Sequence, residues 1–320
     1  MKTIATLFAA AAIVFAAGAF AQSYPTKPVK VIVPFAAGGG VDNITRLIGK
    51  SLSERLKQPV IVDNRPGGNA NIGAEAAAKS PPDGYTLLMT SAVSTVNRAM
   101  FKDLGYDALT DFVQIARVAQ SPNVMVVSAD LPVKSMKELL EYGKANPGAF
   151  SFASTGVGSG QHLNGEIFSK YSGVKALHVP YKGGPPALTD VMAGRVTFFI
   201  TNPSEALPQV AGGKMRAIVV TGATRMKSLP DVPTMNEVGV KNPGTIAWWG
   251  LVAPTGTPKE IIEKLASETL AVLKDPEVKT SLAKMGFEEA TMGPAEFTAF
   301  YRDEVKRYAD LVKEFNIQAE

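Results

Sequence analysis

The chain contains no cysteine. That excludes disulfides, thiol catalysis, cysteine-ligated metal and a lipid-modified cysteine behind an export signal. Stability must therefore come from core packing. Histidine is nearly missing too, with only His162 and His178 in 320 residues. Neither sits in a His-Glu-x-x-His motif or beside a carboxylate cluster, so no metal site is expected. Each reads as a structural or hydrogen-bonding residue rather than a base. Strong charge of one sign is also absent. The formal net charge is +4, with Lys and Arg dispersed among Asp and Glu, unlike the basic stripe of a nucleic-acid binder.

Enzyme signatures fail in the same way. A phosphate loop is missing, since its nearest fragment, Gly212-Gly213-Lys214-Met215, ends wrongly. A dinucleotide fingerprint begins at Gly156 and Gly158 but meets Gln161 where its third glycine belongs. Around Ser159 the order Val157-Gly158-Ser159-Gly160-Gln161 lacks the outer glycines of a nucleophile elbow. The chain is thus expected to be neither an enzyme nor the carrier of a cofactor. An exported hydrolase using Ser159 and His162 stands as the alternative from a different class.

What is present begins at the N-terminus. A short positive start, Met1-Lys2, precedes an Ala-rich apolar run over residues 4–20, and Ala19-Phe20-Ala21 fits a small-x-small cleavage site. Residues 1–21 read as a cleavable secretory signal, too short for a stable membrane anchor. The expected product is a soluble exported protein.

Beyond the signal, strand-like and helical runs alternate. Strands are expected at 29–35, 60–64, 86–91, 112–118, 123–128, 151–155, 178–181, 196–202, 216–221 and 248–253. Helices are expected at 42–57, 72–79, 132–146, 186–193 and 204–211, and the chain after 257 is almost wholly helical. This pattern implies α/β architecture with mainly parallel sheets. Two α/β units joined by crossings near 121–123 and 244–248 account for it. Domain 1 then comprises 22–122 plus 248–320, and domain 2 comprises 123–247. The paired Trp248-Trp249 at the second crossing reads as core or hinge bracing.

Two corners stand out. In the first, the β-branched run Val29, Val31, Ile32, Val33 ends at Pro34-Phe35 and gives way to Gly38-Gly39-Gly40 and a helix containing Asp42. Glycine lets a ligand approach the backbone closely, and the unpaired amides that open a helix attract anions. The second corner carries Thr155, Ser159, Gln161 and His162 around Gly156, Gly158 and Gly160. Apart from Arg46, neither corner holds a cation. Facing corners of this kind suit a small carboxylate bound through main-chain N–H groups and water.

Several motifs in fixed order carry a resemblance from about Tyr24 to the C-terminus. They are VKVIVPFAAGGGVDNITR, VDNRPGGNANIGAEAAAKSPPDGYTLL, ASTGVGSGQHLNGEIF, HVPYKGGPPALTDVMAGRV and LPDVPTMNEVG. Together they resemble the Bug-type extracytoplasmic solute receptors, the substrate-binding subunits of tripartite tricarboxylate transporters. The resemblance implies a type II periplasmic binding protein fold, with two domains, a hinge and a cleft that closes on an organic carboxylate through two bridging waters. It implies a permease as membrane partner and a monomeric receptor. Its site residues fall on Phe35, Ala37, Gly39 and Asp42, on the rim Ser91 and Ala92, on Thr155, Gly158, Ser159, Gln161 and His162, and on Tyr181. Two departures follow. Val41 replaces a hydroxyl residue, and Thr201-Asn202 stands where an Asp is common, which disfavours an amino-acid ligand. Asn202 reads equally as a ligand contact and as a cap for the helix behind Pro203. An exported sensor without a transporter remains a second reading.

Overall fold

A computed structural model describes residues 24–101, 103–241 and 246–316. The expected signal, 1–21, and residues 244 and 245 of the second expected crossing lie outside the described residues.

The first strand, β1 (Val29–Val33), is built almost entirely of buried β-branched residues. It leads through the first glycine corner into α1 (Gly40–Leu56), whose apolar face carries Ile44, Ile48 and Leu52. Then come β2 (Val60–Asn64), α2 (Asn71–Ala78), β3 (Thr86–Ser91), α3 (Ala92–Met100) and β4 (Phe112–Ser121). The second half of the pattern runs β5 (Val124–Ser128), α4 (Met136–Ala145), β6 (Ser151–Ser154), α5 (Gly160–Ser172), β7 (Leu177–Pro180), α6 (Gly184–Met192), β8 (Phe198–Thr201), α7 (Pro203–Ala211) and β9 (Met215–Val220). The tail contains β10 (Ala247–Pro254), α8 (Lys259–Lys274), α9 (Pro276–Lys284) and α10 (Pro294–Glu314).

Two five-stranded sheets result, ordered β2-β1-β3-β10-β4 and β7-β6-β8-β5-β9. The orders correspond position by position. In each, the fourth strand runs against its neighbours: β10 is antiparallel to β3 and β4, and β5 is antiparallel to β8 and β9. The sheets are therefore mixed rather than purely parallel. Each reversed strand is the next strand in the chain after one of the other sheet: β5 follows β4 after only Pro122 and Asn123, and β10 follows β9 after the longer segment 221–246. The first crossing is fastened to the end of β9, with the Asn123 amide donating to Thr221 Oγ1 and the Thr221 amide to the Asn123 carbonyl, each at 2.9 Å.

Each sheet buries both faces, which explains why its strands read as continuous apolar runs. On β10 the neighbours Trp248 and Trp249 point to opposite faces and are both fully buried. Trp248 packs among Phe297, Phe300 and Tyr301 of α10, and Trp249 packs edge-on against Phe287. They brace the core, as expected. One helix bridges the lobes: Phe168 of α5 stays in the core of its own sheet, while Leu163 and Ile167 join the cluster built by α10 residues Tyr308, Leu311 and Val312.

Helix α3 was not expected. Ala92-Val93-Ser94-Thr95-Val96 has strand-prone composition, yet the Ser94 and Thr95 hydroxyls donate back to the carbonyls of Ser91 and Ala92, at 2.8 and 2.6 Å. The helix expected at 132–146 starts at Met136, because Ser135 caps it by accepting from the Glu138 amide.

Candidate functional site

In α/β sheets the ligand crevice lies beyond the carboxyl ends of the parallel strands, where helices begin. Here the two lobes meet across that edge. A methyl placed on Gly40, the first residue of α1, would lie 2.9 Å from Ser204 Oγ and 4.0 Å from Asn202 Nδ2 at the start of α7. A methyl on Gly158 would lie 2.5 Å from Met100 Sδ of α3 and 3.3 Å from Asn69 Nδ2. These two contacts bring the first and second glycine corners to the seam between the lobes.

At the first corner Gly38 takes φ +83°, a left-handed turn that glycine enters freely. Asp42 organises the turn from beneath and is almost fully buried. Its carboxylate accepts from the Gly38 amide and from Arg46 Nε, both at 2.9 Å, and from Asn64 Nδ2 at 3.0 Å. Burial works to raise this carboxyl, but the bonds from Arg46, Gly38 and Asn64 outweigh it and hold the group below its ordinary range. Asp42 and Arg46 thus satisfy each other and leave the cleft without a free cation from this corner. Ala36, Ala37 and Gly38 are exposed, and Gly39 precedes α1 with no side-chain cap, so the first amides of the helix stay open. Phe35 is half-buried against the first lobe's core, and its carbonyl accepts from Asn64 Nδ2 at 3.1 Å.

Ser91 and Ala92 form the junction of β3 with α3, and Ser91 makes no side-chain cap. Behind them Asn97, fully buried, donates to the Asn69 carbonyl and to Asn71 Oδ1 and accepts from Asn69 Nδ2, each at 2.7 Å. This network fixes the loop that carries Asn69 to the cleft.

At the second corner Gly156 and Gly158 take φ +130° and +76°. Ser159 is 1% exposed and its hydroxyl caps α5 by accepting from the His162 amide at 3.2 Å. The His162 ring turns back on the loop and accepts the Gly158 amide at Nδ1, 3.0 Å away. Thr155 Oγ1 donates to Gln161 Oε1 at 3.0 Å. Ser159 and His162 therefore shape the loop through their side chains and do not pair as nucleophile and base. The Tyr181 hydroxyl is engaged with Asp190 Oδ2 at 2.7 Å, leaving the chain beside it to line the rim.

Asn202 begins α7 without a side-chain cap and carries its amide toward Gly40, so the capping alternative is not taken up. Reasoning from sequence passed over its neighbours. Ser204 Oγ is buried facing α1 with no hydrogen-bond partner. Glu205 curls back so that Thr201 Oγ1 donates to its Oε2 at 2.5 Å, and its carboxyl rests on Gly184, where a methyl would lie 2.4 Å from Oε1. Asn69 and Met100 were missed as well. The one signal for Glu205 was its spacing four residues beyond the last residue of a strand. Arranged in this way, the cleft offers main-chain donors, helix N-termini and neutral side chains to an anion, without a formal salt bridge.

Comparison with known proteins bears on the family and the fold. Residues 44–317 match the tripartite tricarboxylate transporter family receptor. The protein BugT of Bordetella pertussis is 35% identical, over 93% of this chain and 92% of its own. The structure of the periplasmic binding protein BugD superposes with a TM-score of 0.87 at 34% identity, covering 93% of this chain and 100% of that one. R. palustris Rpa4515, solved with adipate, superposes at 0.88 and 35% identity, covering 92% and 99%.

Proposed function

The chain belongs to the tripartite tricarboxylate transporter receptor family, and from that membership we propose that it captures a small organic carboxylate in the periplasm and delivers it to membrane permease subunits. The observation that carries the reading is the pair of glycine corners set in lobes that meet across one cleft. A carboxylate entering there receives the open amides of α1 from below Gly39 and Gly40, while the second corner, whose Gly156 and Gly158 amides are held by Ser154 and His162, faces it from the other lobe. Ala37, Ser91, Ala92, Gln161 and Asn202 complete the rim, Phe35 covers an apolar part of the ligand, and Asp42, Ser159 and His162 hold the loops in shape. The structure of Rpa4515 with adipate supports a carboxylate as the ligand class.

Domain 1, 22–122 plus 248–320, and domain 2, 123–247, are the moving bodies. They rotate about the crossings near 121–123 and 244–248, and ligand bound to both lobes shifts the population toward closure. No chemistry is required of the site, and the receptor works as a monomer. Support against the hydrolase alternative comes from the Ser159 hydroxyl, which is spent on the α5 cap.

Thermal denaturation of mature protein, unfolded and refolded to strip carried-over ligand, tests the reading against carboxylates, amino acids and neutral controls. Ligand at 100 times its Kd stabilises by about 2.7 kcal/mol. Shifts confined to acids are expected. Silence toward every acid would return the sensor and hydrolase readings to the front.

A further inference from the structure

The chain has no thiol, so its softest oxidisable groups are the methionine thioethers. Met89, Met125, Met136, Met215, Met226 and Met235 are buried. Met100, Met192, Met285 and Met292 are half-buried and open to a small oxidant. Met192 and Met285 pack against core clusters confined to one lobe. The Met292 sulfur accepts from Arg117 Nη1 at 3.7 Å. Met100 is placed differently, because its sulfur lies on the seam between the lobes.

Met100 ends α3, and its stem packs against the cluster that α5 and α10 share. Its Sδ and Cε both lie 2.5 Å from the point where a Cβ on Gly158 would stand. The thioether therefore covers the bare face of a glycine that belongs to the other lobe. Gly158 cannot step back. It sits at φ +76°, its amide is held by His162 Nδ1 at 3.0 Å, and the Ser159 amide behind it donates to the Gly156 carbonyl at 3.1 Å. Nor is the end of α3 free to yield. The Phe101 amide donates to the Asn97 carbonyl at 2.9 Å, and the Asn97 side chain is tied to Asn69 and Asn71. Between these two fixed backbones the seam has no room for one more methyl group.

We propose that Met100 is an oxidation site whose sulfoxide holds the lobes apart and weakens ligand capture. This rests on the receptor reading and goes beyond it, to a covalent change that turns capture down. The co-reactant is a peroxide. A sulfur lone pair attacks one peroxide oxygen, the S–O bond forms as the O–O bond breaks, and the sulfur gives up two electrons. With hydrogen peroxide the second oxygen leaves as water. The product carries an added polar oxygen at a contact already filled, and overpacking of this kind destabilises the arrangement that contains it. Because the contact crosses the seam, the lobes relieve it by parting, and neither has to unfold. Closure alone bears the cost.

Hydrogen peroxide treatment of the mature protein tests the idea through three readouts. Peptide mapping by mass spectrometry should find sulfoxide at Met100 before any buried methionine. Small-angle scattering should find the oxidised protein more open than Met100→Leu treated alike, since leucine has no sulfur to oxidise. Calorimetric titration with adipate should show affinity falling on the order of tenfold on oxidation of the parent. In Met100→Leu the affinity should be the same before and after peroxide, whatever its starting value. Methionine sulfoxide reductases should restore the parent. An unmodified Met100 beside oxidised buried methionines, or an equal loss in Met100→Leu, would overturn the proposal and leave the receptor reading standing. If the untreated protein binds neither adipate nor any acid of the thermal panel, the receptor reading falls; scattering then decides alone, and equal dimensions overturn the proposal too.

Discussion

His162 and His178, the chain's only histidines, stack face to face with ring centroids 3.8 Å apart and planes 7° from parallel. Phe152 extends the stack beside His178 at 5.0 Å. Ser154 Oγ lies 2.6 Å from His178 Nε2 and also accepts the Gly156 amide, while His162 accepts the Gly158 amide. The second glycine corner is thus fastened to the stacked pair of imidazole rings.

His178 should make the protein acid-sensitive. Burial lowers the His178 pKa from 6.5 to about 4, with the neighbouring His162 adding to the effect and Glu166 opposing it. A depressed folded value means stability is intact above the unfolded value and lost as pH falls toward the folded one. Stability should therefore fall between pH 6.5 and about 4 by on the order of 2 kcal/mol after allowing for partial exposure, read as a falling thermal midpoint. In His178→Gln the slope should be visibly shallower; parallel slopes would locate the lability elsewhere.

Gly40→Ala separates closure from folding. Alanine suits the first position of a helix. Its methyl would nonetheless meet Ser204 Oγ at 2.9 Å, across the cleft. Ligand affinity should fall about tenfold, or about 1.4 kcal/mol, while the ligand-free midpoint stays unchanged. An unaltered Kd would mean that the bound lobes stand farther apart.

Asp42→Ala should act on both properties. It strips the Gly38 amide, Arg46 and Asn64 of their common acceptor. Urea titration should show a loss of about 1–3 kcal/mol, with weaker ligand binding in the fraction that remains folded. Because the Asp42 carboxyl is held below its ordinary range, its contribution is present at neutral pH and lost as pH falls through that lowered value. The variant should therefore differ less from the parent in strong acid.

Glu304→Ala is the converse case. The buried carboxylate accepts from Trp248 Nε1 at 2.9 Å and from Arg307 at 2.8 Å, far from the glycine corners. Its removal from a buried charge pair should cost about 3 kcal/mol of stability. Affinity measured on folded molecules should not change.

What was legible in the chain follows from what is local. Alternating β-branched runs, apolar helical stripes and glycine turns placed ten strands and both corners, because each depends on a few consecutive residues. Strand direction does not, and nothing near Ala247 announces that β10 enters its sheet reversed. Helix α3 was hidden because its hydroxyl residues favour a strand until they bond their own backbone. Glu205 was hidden differently. A glutamate in a helix's first turn normally reads as solvated, and only the fold brings Thr201 and Gly184 around it. Asn202 carried two readings from sequence, and its missing cap bond set one of them aside.

The exchange of reversed strands also orders the birth of the molecule. Strand β4 pairs only with β10 in its sheet, so the first lobe lacks a partner for it until residue 254 has been made. Every strand of the second sheet lies between Val124 and Val220, with no gap to wait for. A chain emerging N-terminus first therefore completes its inserted lobe before its flanking one, since early pairing favours contacts close in sequence. Pulse-labelled hydrogen exchange during refolding should find amides of β5, β6 and β8 protected ahead of those in β3 and β4. The half of the receptor that is begun first is the half that is finished last.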